Sequence, residues 1–360
     1  MKIKILFLIC LLTNAMIQLF GQDPYFSQFQ NVPIYYNPAY TGLYTGIRAR
    51  FAFRDQWPAL PYDFKSYHFS ADIGERNLPG SGGVALLINT DNEGIGFIKN
   101  FNLGLAVAVR IPFSKNAIGQ LGFKAAWLQK RINWDDFVFS DALDERYGNI
   151  YATGFQRPDR NVLNLPDFGV GGIVQFADET GSFSGTVGFA ADHLFEPDQS
   201  FLQTAKAPLP RKYVAHIDAI YAIGSSSGFN TVSDDALKLN PGIMFQSQGG
   251  LNAIQAGMNL TKYGVYLGLW YKGAFGTYAN TSLAMLVGYR YVFADNIGIK
   301  FTYSYDMQLS GALMGTGGAH EVTLVIDFNT GGFLGGSGGG STSRGIKRGG
   351  YDSRLECSEF

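Results

Sequence analysis

The sequence is short of cysteine, of charge and of long apolar runs, and each shortage excludes a class of protein. It has two cysteines in 360 residues. Cys10 lies in a leader described below, so Cys357 alone leaves no intrachain disulfide and no cysteine zinc site. After residue 21 no run of about 18 apolar residues occurs, so no transmembrane helix is predicted. Burial and sheet hydrogen bonds must therefore stabilise the chain.

Charged residues make up only 16% of the chain, whereas aromatic residues reach 15% and glycine occurs 46 times. An average soluble domain carries roughly 25% charged residues. The formal net charge of -1 argues against nucleic acid as the main partner. Together these values indicate a β-rich protein whose surface does not all face water.

Residues that carry catalytic or metal chemistry are also sparse. Four histidines, at positions 68, 193, 216 and 320, show no paired metal-ligand spacing. "GSSSG" at 224–228 matches a hydrolase motif but lacks its strand-turn-helix setting. Asp192–His193, near a proposed outer rim, and Ser226 are the only candidates for a barrel hydrolase. We therefore expect no enzyme, no cofactor and no metal site.

The first 21 residues predict a secretory signal peptide. Lys2 and Lys4 precede an apolar run from Ile5 to Leu12, and Gly21 is a small residue before the expected cut. Cys10 follows Ile9 rather than a small residue, which argues against a lipoprotein. A retained membrane anchor is the alternative, although the apolar run is short for a span.

Period two is the main secondary-structure signal. In "FNLGLAVAVRI" (101–111) and "IGIKFTYSYDM" (297–307), odd positions are large and apolar, whereas even positions are small or polar. We count fourteen such segments, at about 47–55, 62–73, 82–91, 99–112, 119–133, 166–177, 182–193, 211–223, 237–248, 250–260, 263–273, 281–293, 296–308 and 319–329.

The lengths of these segments predict strands that cross a membrane. Most hold about 10 to 14 residues, whereas globular strands average about 5 or 6 and a tilted membrane strand needs about 9 to 11. The predicted fold is an all-β, transmembrane, up-and-down antiparallel β-barrel of about 14 strands over 47–329. A soluble β-sandwich or propeller would show the same alternation, but its strands would be shorter and would lack aromatic ends.

The connections agree with an outer-membrane barrel. Predicted periplasmic turns at 75–80, 114–119, 178–181, 261–264 and 294–296 are short, and the longest loops, 134–165 and 194–210, fall on the other side. Two connections fit less well. The stretch 224–236 is long for a periplasmic turn, and the outer turn at 249–250 is very tight, so the strand number could be wrong by a hairpin.

Two segments flank the predicted barrel. The arm, residues 22–46, opens "QDPYFSQFQNVPIYYNPAYTG", which is rich in aromatic residues and proline. Its prolines lower the entropy of the free chain and hence the cost of ordering it. We predict that it plugs the lumen or caps the periplasmic mouth, through Tyr25, Phe26, Phe29, Tyr35, Tyr36, Asn37 and Pro38. The tail, residues 330–360, reads as a flexible Gly-rich periplasmic segment.

Three stretches together resemble one family. These are "QDPYFSQFQNVPIYYNPAYTG" (22–42), "RDQWP" (54–58) and "GAHEVTLVIDF" (318–328). They are similar to the elements that open and close the barrel in the PorP/SprF-like family of the Bacteroidetes type IX secretion and gliding system. The resemblance covers Gln22 to Phe328, and the middle strands match only in style.

The resemblance implies an integral outer-membrane anchor without catalysis. Its expected partners are a secreted type IX substrate, such as an adhesin held through its C-terminal domain at the cell surface, and outer-membrane lipid or lipopolysaccharide. Some branches of the family are coupled to the periplasmic motor, and the C-terminal tail is the candidate contact. Both termini are expected in the periplasm.

The outer loops are the predicted docking surface for that partner. Their aromatic residues suit an interface core: Trp134, Phe137, Phe139, Tyr147, Tyr151 and Phe155. The alternative is that these side chains fold the loop back over the mouth. The rival function is an outer-membrane channel or a transporter of hydrophobic substrates, because fourteen strands leave a lumen unless something fills it.

Overall fold

A computed structural model describes residues 23–328, apart from 45, 62–63, 75–80, 95–97, 159, 179–181, 203–204, 224–235, 276–279, 294–296 and 311–313. The predicted signal peptide and the C-terminal tail lie outside these residues. No helix in the described part of the chain is long and apolar enough to cross a membrane.

Fourteen antiparallel strands form one closed barrel, in which each strand pairs with its neighbours along the chain and the first strand pairs with the last; the sixth and seventh strands of the chain lie outside the barrel. The strands are β1 Gly46–Gln56, β2 Phe64–Gly74, β3 Ser81–Glu93, β4 Ile98–Ser114, β5 Ala117–Ile132, β8 Val162–Ala177, β9 Phe183–Asp192, β10 Lys212–Ile223, β11 Leu237–Gln248, β12 Leu251–Lys262, β13 Val265–Phe275, β14 Thr281–Phe293, β15 Ile297–Gln308 and β16 Ala319–Phe328. The predicted fold class and strand number are confirmed.

The period-two pattern sorts side chains between the outside and the lumen. On β4, Leu105, Val107 and Val109 are exposed on the outer face, while Ala106 and Ala108 are buried. The closing pair β1–β16 places Arg54 opposite Glu321 and Arg48 opposite Asp327, with all four side chains buried in the lumen. An apolar outer band and a polar interior are the arrangement that a membrane barrel requires.

The two ends of the barrel differ in their loops. The long connections 133–161 and 193–211 leave the end that we call the outer end, where β1 finishes and β2 begins. Short turns such as 115–116 and 263–264 join strands at the opposite, inner end. The tight outer turn predicted at 249–250 is present in the structure and joins β11 to β12. Gly249 and Gly250 both take positive φ, at 56° and 85°, as a two-residue hairpin requires.

One part of the outer loops has structure that the strand count did not include. Within 133–161, two short strands, β6 Leu143–Asp144 and β7 Gly148–Asn149, form a separate two-stranded sheet. They are too short to produce a period-two pattern. The uncertain connection 224–236 lies almost wholly outside the described residues.

The arm lies inside the barrel. It folds into three short helical pieces, Phe29–Asn31, α1 Pro33–Tyr36 and Pro38–Tyr40, and all its residues from Phe26 to Leu43 are buried apart from Gln30, which is partly exposed. Asp23 lies at the outer end beside His193, while Gly42 lies at the inner end against Gly82 and Gly83. The arm was expected to start on the periplasmic side; its first described residue instead lies at the outer end, because the arm threads the lumen before β1 begins.

Candidate functional site: the filled lumen and its outer vestibule

The arm supplies the hydrophobic core that the barrel interior lacks. One cluster packs the arm's aromatic residues against the lumen faces of β10, β11 and β13; it contains Phe26, Phe29, Tyr35, Tyr36, Val214, Met244 and Trp270. A second cluster packs Ile34, Ala39, Tyr40 and Leu43 against Ala85, Leu87, Ala106, Ile118 and Ile173. Burying a large apolar side chain is worth about 1.5–3 kcal/mol, so the arm is bound by many such contributions.

The Asn37-Pro38 pair makes the turn that sends the chain toward the inner end. The side chain of Asn37 accepts a hydrogen bond from the Ala39 amide at 2.9 Å and so caps the helical turn Pro38–Tyr40. Its amide group donates to the carbonyls of Gly172 and Phe189 at 3.2 and 3.3 Å. The turn lies directly on Gly122, where a Cβ would collide with the backbone of Pro38 and Ala39.

The three stretches that carried the family resemblance meet at one point in the lumen. The Glu321 carboxylate accepts hydrogen bonds from the backbone amides of Ser27 and Gln28 at 2.8 and 2.9 Å. The same carboxylate pairs with Arg54 at 3.0 Å. The first stretch thus supplies backbone donors, the second a guanidinium and the third the carboxylate between them.

A second carboxylate completes this cluster. Asp306 accepts from the Ser27 hydroxyl at 2.5 Å and pairs with Arg54 and Lys272, both at 2.9 Å. All of these groups are buried. Buried charges require partners and hydrogen bonds, and the arm provides some of them. The barrel wall and the arm are therefore electrostatically complementary.

Asp23 anchors the amino end of the arm at the outer end of the lumen. Its carboxylate pairs with Lys212 at 2.5 Å and with His193 at 3.1 Å, and His193 also faces Asp167 at 3.0 Å. Burial would raise the pKa of Asp23, but Lys212 and His193 outweigh it and hold that pKa well below its usual range. Burial would lower the pKa of His193, yet Asp23 and Asp167 raise that pKa to about 9.

Above the arm, the barrel opens into a cavity of about 920 Å³, which we call the vestibule. Asp23, Pro24 and Tyr25 of the arm form its floor. Its walls come from the outer ends of the strands and include Trp57, Asp91, Glu93, Gln246, Lys272, Ala274 and Gln308. Deeper in the lumen, two cavities lined by the arm and the wall are much smaller, at about 20 and 10 Å³.

Four of the six aromatic residues predicted to bind a partner form a cluster in the outer loops. Phe139 stacks on Phe155 with ring centroids 4.4 Å apart, and Trp134 lies 5.6 Å from Phe137 and 5.9 Å from Phe155. Trp134 also meets Phe201 of the second long loop at 6.2 Å. The two long loops are thereby joined to each other.

The other two aromatics, Tyr147 and Tyr151, lie apart from that cluster, beside the β6–β7 hairpin. They are 67% and 54% exposed. Asp144 holds this hairpin, because it accepts from the amides of Arg146 and Tyr147 and from the Tyr151 hydroxyl. Those hydrogen bonds lower the pKa of Asp144, as hydrogen bonds to the charged form do.

All seven arm residues predicted to plug or cap the barrel lie in the lumen. Sequence reasoning missed their partners on the wall, chiefly Arg54, Lys212, Lys272, Asp306 and Glu321, although Arg54 and Glu321 lie in two of the stretches that carried the family resemblance. In the candidate hydrolase pair Asp192–His193, the histidine is bound to the carboxylate of Asp23 in the arm. The described residues contain no cluster of ligands suited to a metal ion. Ser226 lies outside the described residues.

Comparison with known proteins decides the family. Residues 18–326 match the family described as "Type IX secretion system membrane protein PorP/SprF". The chain belongs to this family. Its fold, its family and its polar interior make it an integral outer-membrane protein of a secretion-system class rather than of an enzyme class.

Solved structures similar to this chain are outer-membrane barrels. The "CymD monoaromatic hydrocarbon channel" is 10% identical, with a TM-score of 0.41, over 85% of this chain and 93% of that one. A FadL homologue of Pseudomonas aeruginosa is 12% identical, with a TM-score of 0.41, over 79% of this chain and 89% of that one. Omp33 of Acinetobacter baumannii is 7% identical, with a TM-score of 0.36, over 80% and 99%. No curated protein matches the chain.

Proposed function

We propose that this outer-membrane protein holds a secreted type IX substrate, such as an adhesin with a matching C-terminal domain, at the cell surface. In this proposal the outer loops receive the partner, the arm seals the lumen, and the inner end contacts the periplasmic motor through the C-terminal tail. The observation that carries the anchoring role is the arm, which fills the lumen with side chains bonded to the wall.

A filled lumen favours an anchor over a diffusion channel. A channel needs a continuous aqueous path, whereas the arm buries its aromatic residues across the middle of the lumen and occupies charged wall residues that a pore would expose to water. The vestibule is open at the outer end, where a surface partner would arrive.

The joined outer loops suit a docking surface. The aromatic cluster holds the loops in one shape, and apolar side chains remain exposed around it, among them Val138, Tyr147, Ile150, Tyr151, Phe195 and Leu202. Exposed apolar patches of this kind mark interaction sites, and a pre-ordered surface lowers the entropic cost of binding.

The docking proposal is tested by replacing residues 137–157 with a short Gly-Ser linker, which leaves β5 and β8 intact. We expect the secreted partner to be lost from pull-downs of the detergent-extracted protein and to leave the cell surface. A control replaces the inner turn 115–116 with Gly-Ser, which leaves the outer loops and the vestibule unchanged. Undiminished partner recovery with the 137–157 replacement would exclude these loops as the docking surface.

Single-channel recording separates the anchor from the rival channel. We expect the intact protein to be silent in planar bilayers and a variant lacking residues 23–36 to conduct. Steady conductance of the intact protein, unchanged by the deletion, would support the channel and contradict the seal.

A further inference from the structure

The vestibule presents polar groups that have no partner in the described part of the chain. Gln246 is only 4% exposed and lines the cavity, yet its Oε1 atom has no hydrogen-bond partner. Two further lining atoms, Oε1 of Gln308 and Nε1 of Trp57, are buried and also lack partners. Buried polar groups are almost always hydrogen-bonded, so these groups indicate a ligand with both donors and acceptors.

Some charged residues that line the vestibule have partners of opposite charge, and others do not. Arg54 and Lys272 are already paired with Asp306, and Asp23 is paired with Lys212. Asp91, on the opposite wall, accepts from the Ser66 hydroxyl at 2.5 Å and makes no ion pair with any described residue.

Glu93, next along the same wall, has one cation within ion-pair distance among the residues that the structure describes. That cation is Lys130, which lies 3.8 Å away. The β3 wall of the vestibule, formed by Asp91 and Glu93, is therefore left with negative charge.

We infer that the vestibule binds a short polypeptide segment of the secreted partner, with a lysine or arginine side chain placed against Asp91 and Glu93. A peptide backbone offers N–H groups to Gln246 and Gln308 and a carbonyl to Trp57. The basic side chain neutralises the acidic wall, since charge complementarity fixes register and selects partners. A cavity of this volume is within the range of ligand pockets.

A peptide suits the vestibule better than a glycan. Sugars stack on open aromatic faces, whereas the Tyr25 ring on the vestibule floor already has the Lys272 ammonium group over its face, 4.7 Å from the ring centroid. Neutral sugars also leave the β3 wall uncompensated. The inference rests on the proposed anchoring function and adds to it the place and the charge of the inserted segment.

Site-specific photocrosslinking in intact cells tests the inference. Ala274 lines the vestibule without contributing to the polar groups above, so Ala274→p-benzoylphenylalanine places the probe there. We expect a polypeptide adduct whose mapped segment contains a lysine or arginine. The paired substitution Asp91→Asn and Glu93→Gln should lower the adduct yield at least tenfold, whereas Asp178→Asn, in the β8–β9 turn at the inner end of the barrel, should leave it unchanged.

Several outcomes would overturn the inference. These are no polypeptide adduct, a glycan adduct, a segment without a basic residue, or a yield that survives the Asp91 and Glu93 substitutions. Resistance of each variant to detergent unfolding shows that the barrel is intact. Partner recovery in the loop-replacement pull-down is scored separately, so loss of the vestibule contact with retained partner would reject this inference and leave the anchoring proposal standing.

Discussion

At the scale of residues, the chemistry that matters most in this molecule is the set of hydrogen bonds and ion pairs that join the arm to the barrel wall. Ser27, Arg54 and Glu321 are far apart in the chain, and each alone reads as an ordinary polar residue of a lumen. In the structure they act together to hold the arm, because the carboxylate of Glu321 accepts hydrogen bonds from two arm amides and forms an ion pair with Arg54. Sequence motifs could mark these positions, but only the closure of β1 on β16 brings them together.

Substituting Glu321→Gln should weaken this junction strongly. It leaves Arg54 with Asp306 alone and removes the charge that two backbone donors use; breaking a buried ion pair typically costs about 3–5 kcal/mol. We expect faster hydrogen exchange at the Ser27 and Gln28 amides and a lower unfolding temperature in detergent. Glu145→Gln, in the exposed hairpin, is the control. Unchanged protection of both amides would show that Glu321 does not hold the arm.

The anchor at Asp23 should depend on pH. The pKa of His193 is raised from 6.5 to about 9 in the folded protein, so the stabilisation it supplies is fully present below about pH 6.5 and is lost as pH rises through about 9. We expect the exchange protection of the Asp23 and Phe26 amides, which donate to Gln248 and to the Tyr36 hydroxyl, to fall over that window. His193→Gln should remove the pH dependence, while Lys212 keeps the arm partly bound. A pH-independent wild-type protein would contradict the assignment.

At the scale of elements, strands and arm differ in how far sequence could predict them. Every barrel strand alternates because lipid and lumen impose opposite demands on successive residues, so period two revealed all fourteen. The arm is surrounded by the barrel wall on all sides, so its apolar residues follow no fixed sequence period. Composition predicted that the arm would be buried but left two places open, the lumen and the periplasmic mouth, and the expected starting side of the arm was wrong. The β6–β7 hairpin was missed because two-residue strands have no period.

Gly122 on β5 tests whether strand and arm are shaped for each other. Gly122→Leu should expel the turn Pro38–Tyr40, since even a Cβ there meets the arm backbone, while β5 keeps its ladder of hydrogen bonds. We expect a folded barrel that conducts in planar bilayers. The control is Gly104→Ala on β4, where the nearest atom, the Ala126 Cβ, would be 3.5 Å away. If the folded Gly122→Leu barrel did not conduct, the arm would still seal the lumen despite the larger side chain, and the prediction would be wrong.

At the scale of the whole molecule, the arm links the two mouths of the barrel. It starts beside His193 at the outer end, passes both hydrophobic clusters and reaches Asp72 at the inner end, where Gly42 donates to that carboxylate at 2.9 Å. A partner that enters the vestibule would therefore meet a segment whose other end lies at the inner mouth. This arrangement supports the proposed anchoring role, in which the protein connects a surface partner to periplasmic machinery.

The threading of the arm makes a topological prediction about the protein in cells. Because Asp23 lies at the outer end and β1 begins at the inner end, a short epitope placed just before Asp23 should be detected by antibody on intact cells. An epitope in the 145–147 turn of the β6–β7 hairpin is the positive control, and one in the 115–116 turn should be detected only after the outer membrane is permeabilised. If the epitope before Asp23 behaved like the 115–116 epitope, the arm would not thread the lumen from its outer end, and the seal, the vestibule floor and the link between the mouths would all have to be abandoned.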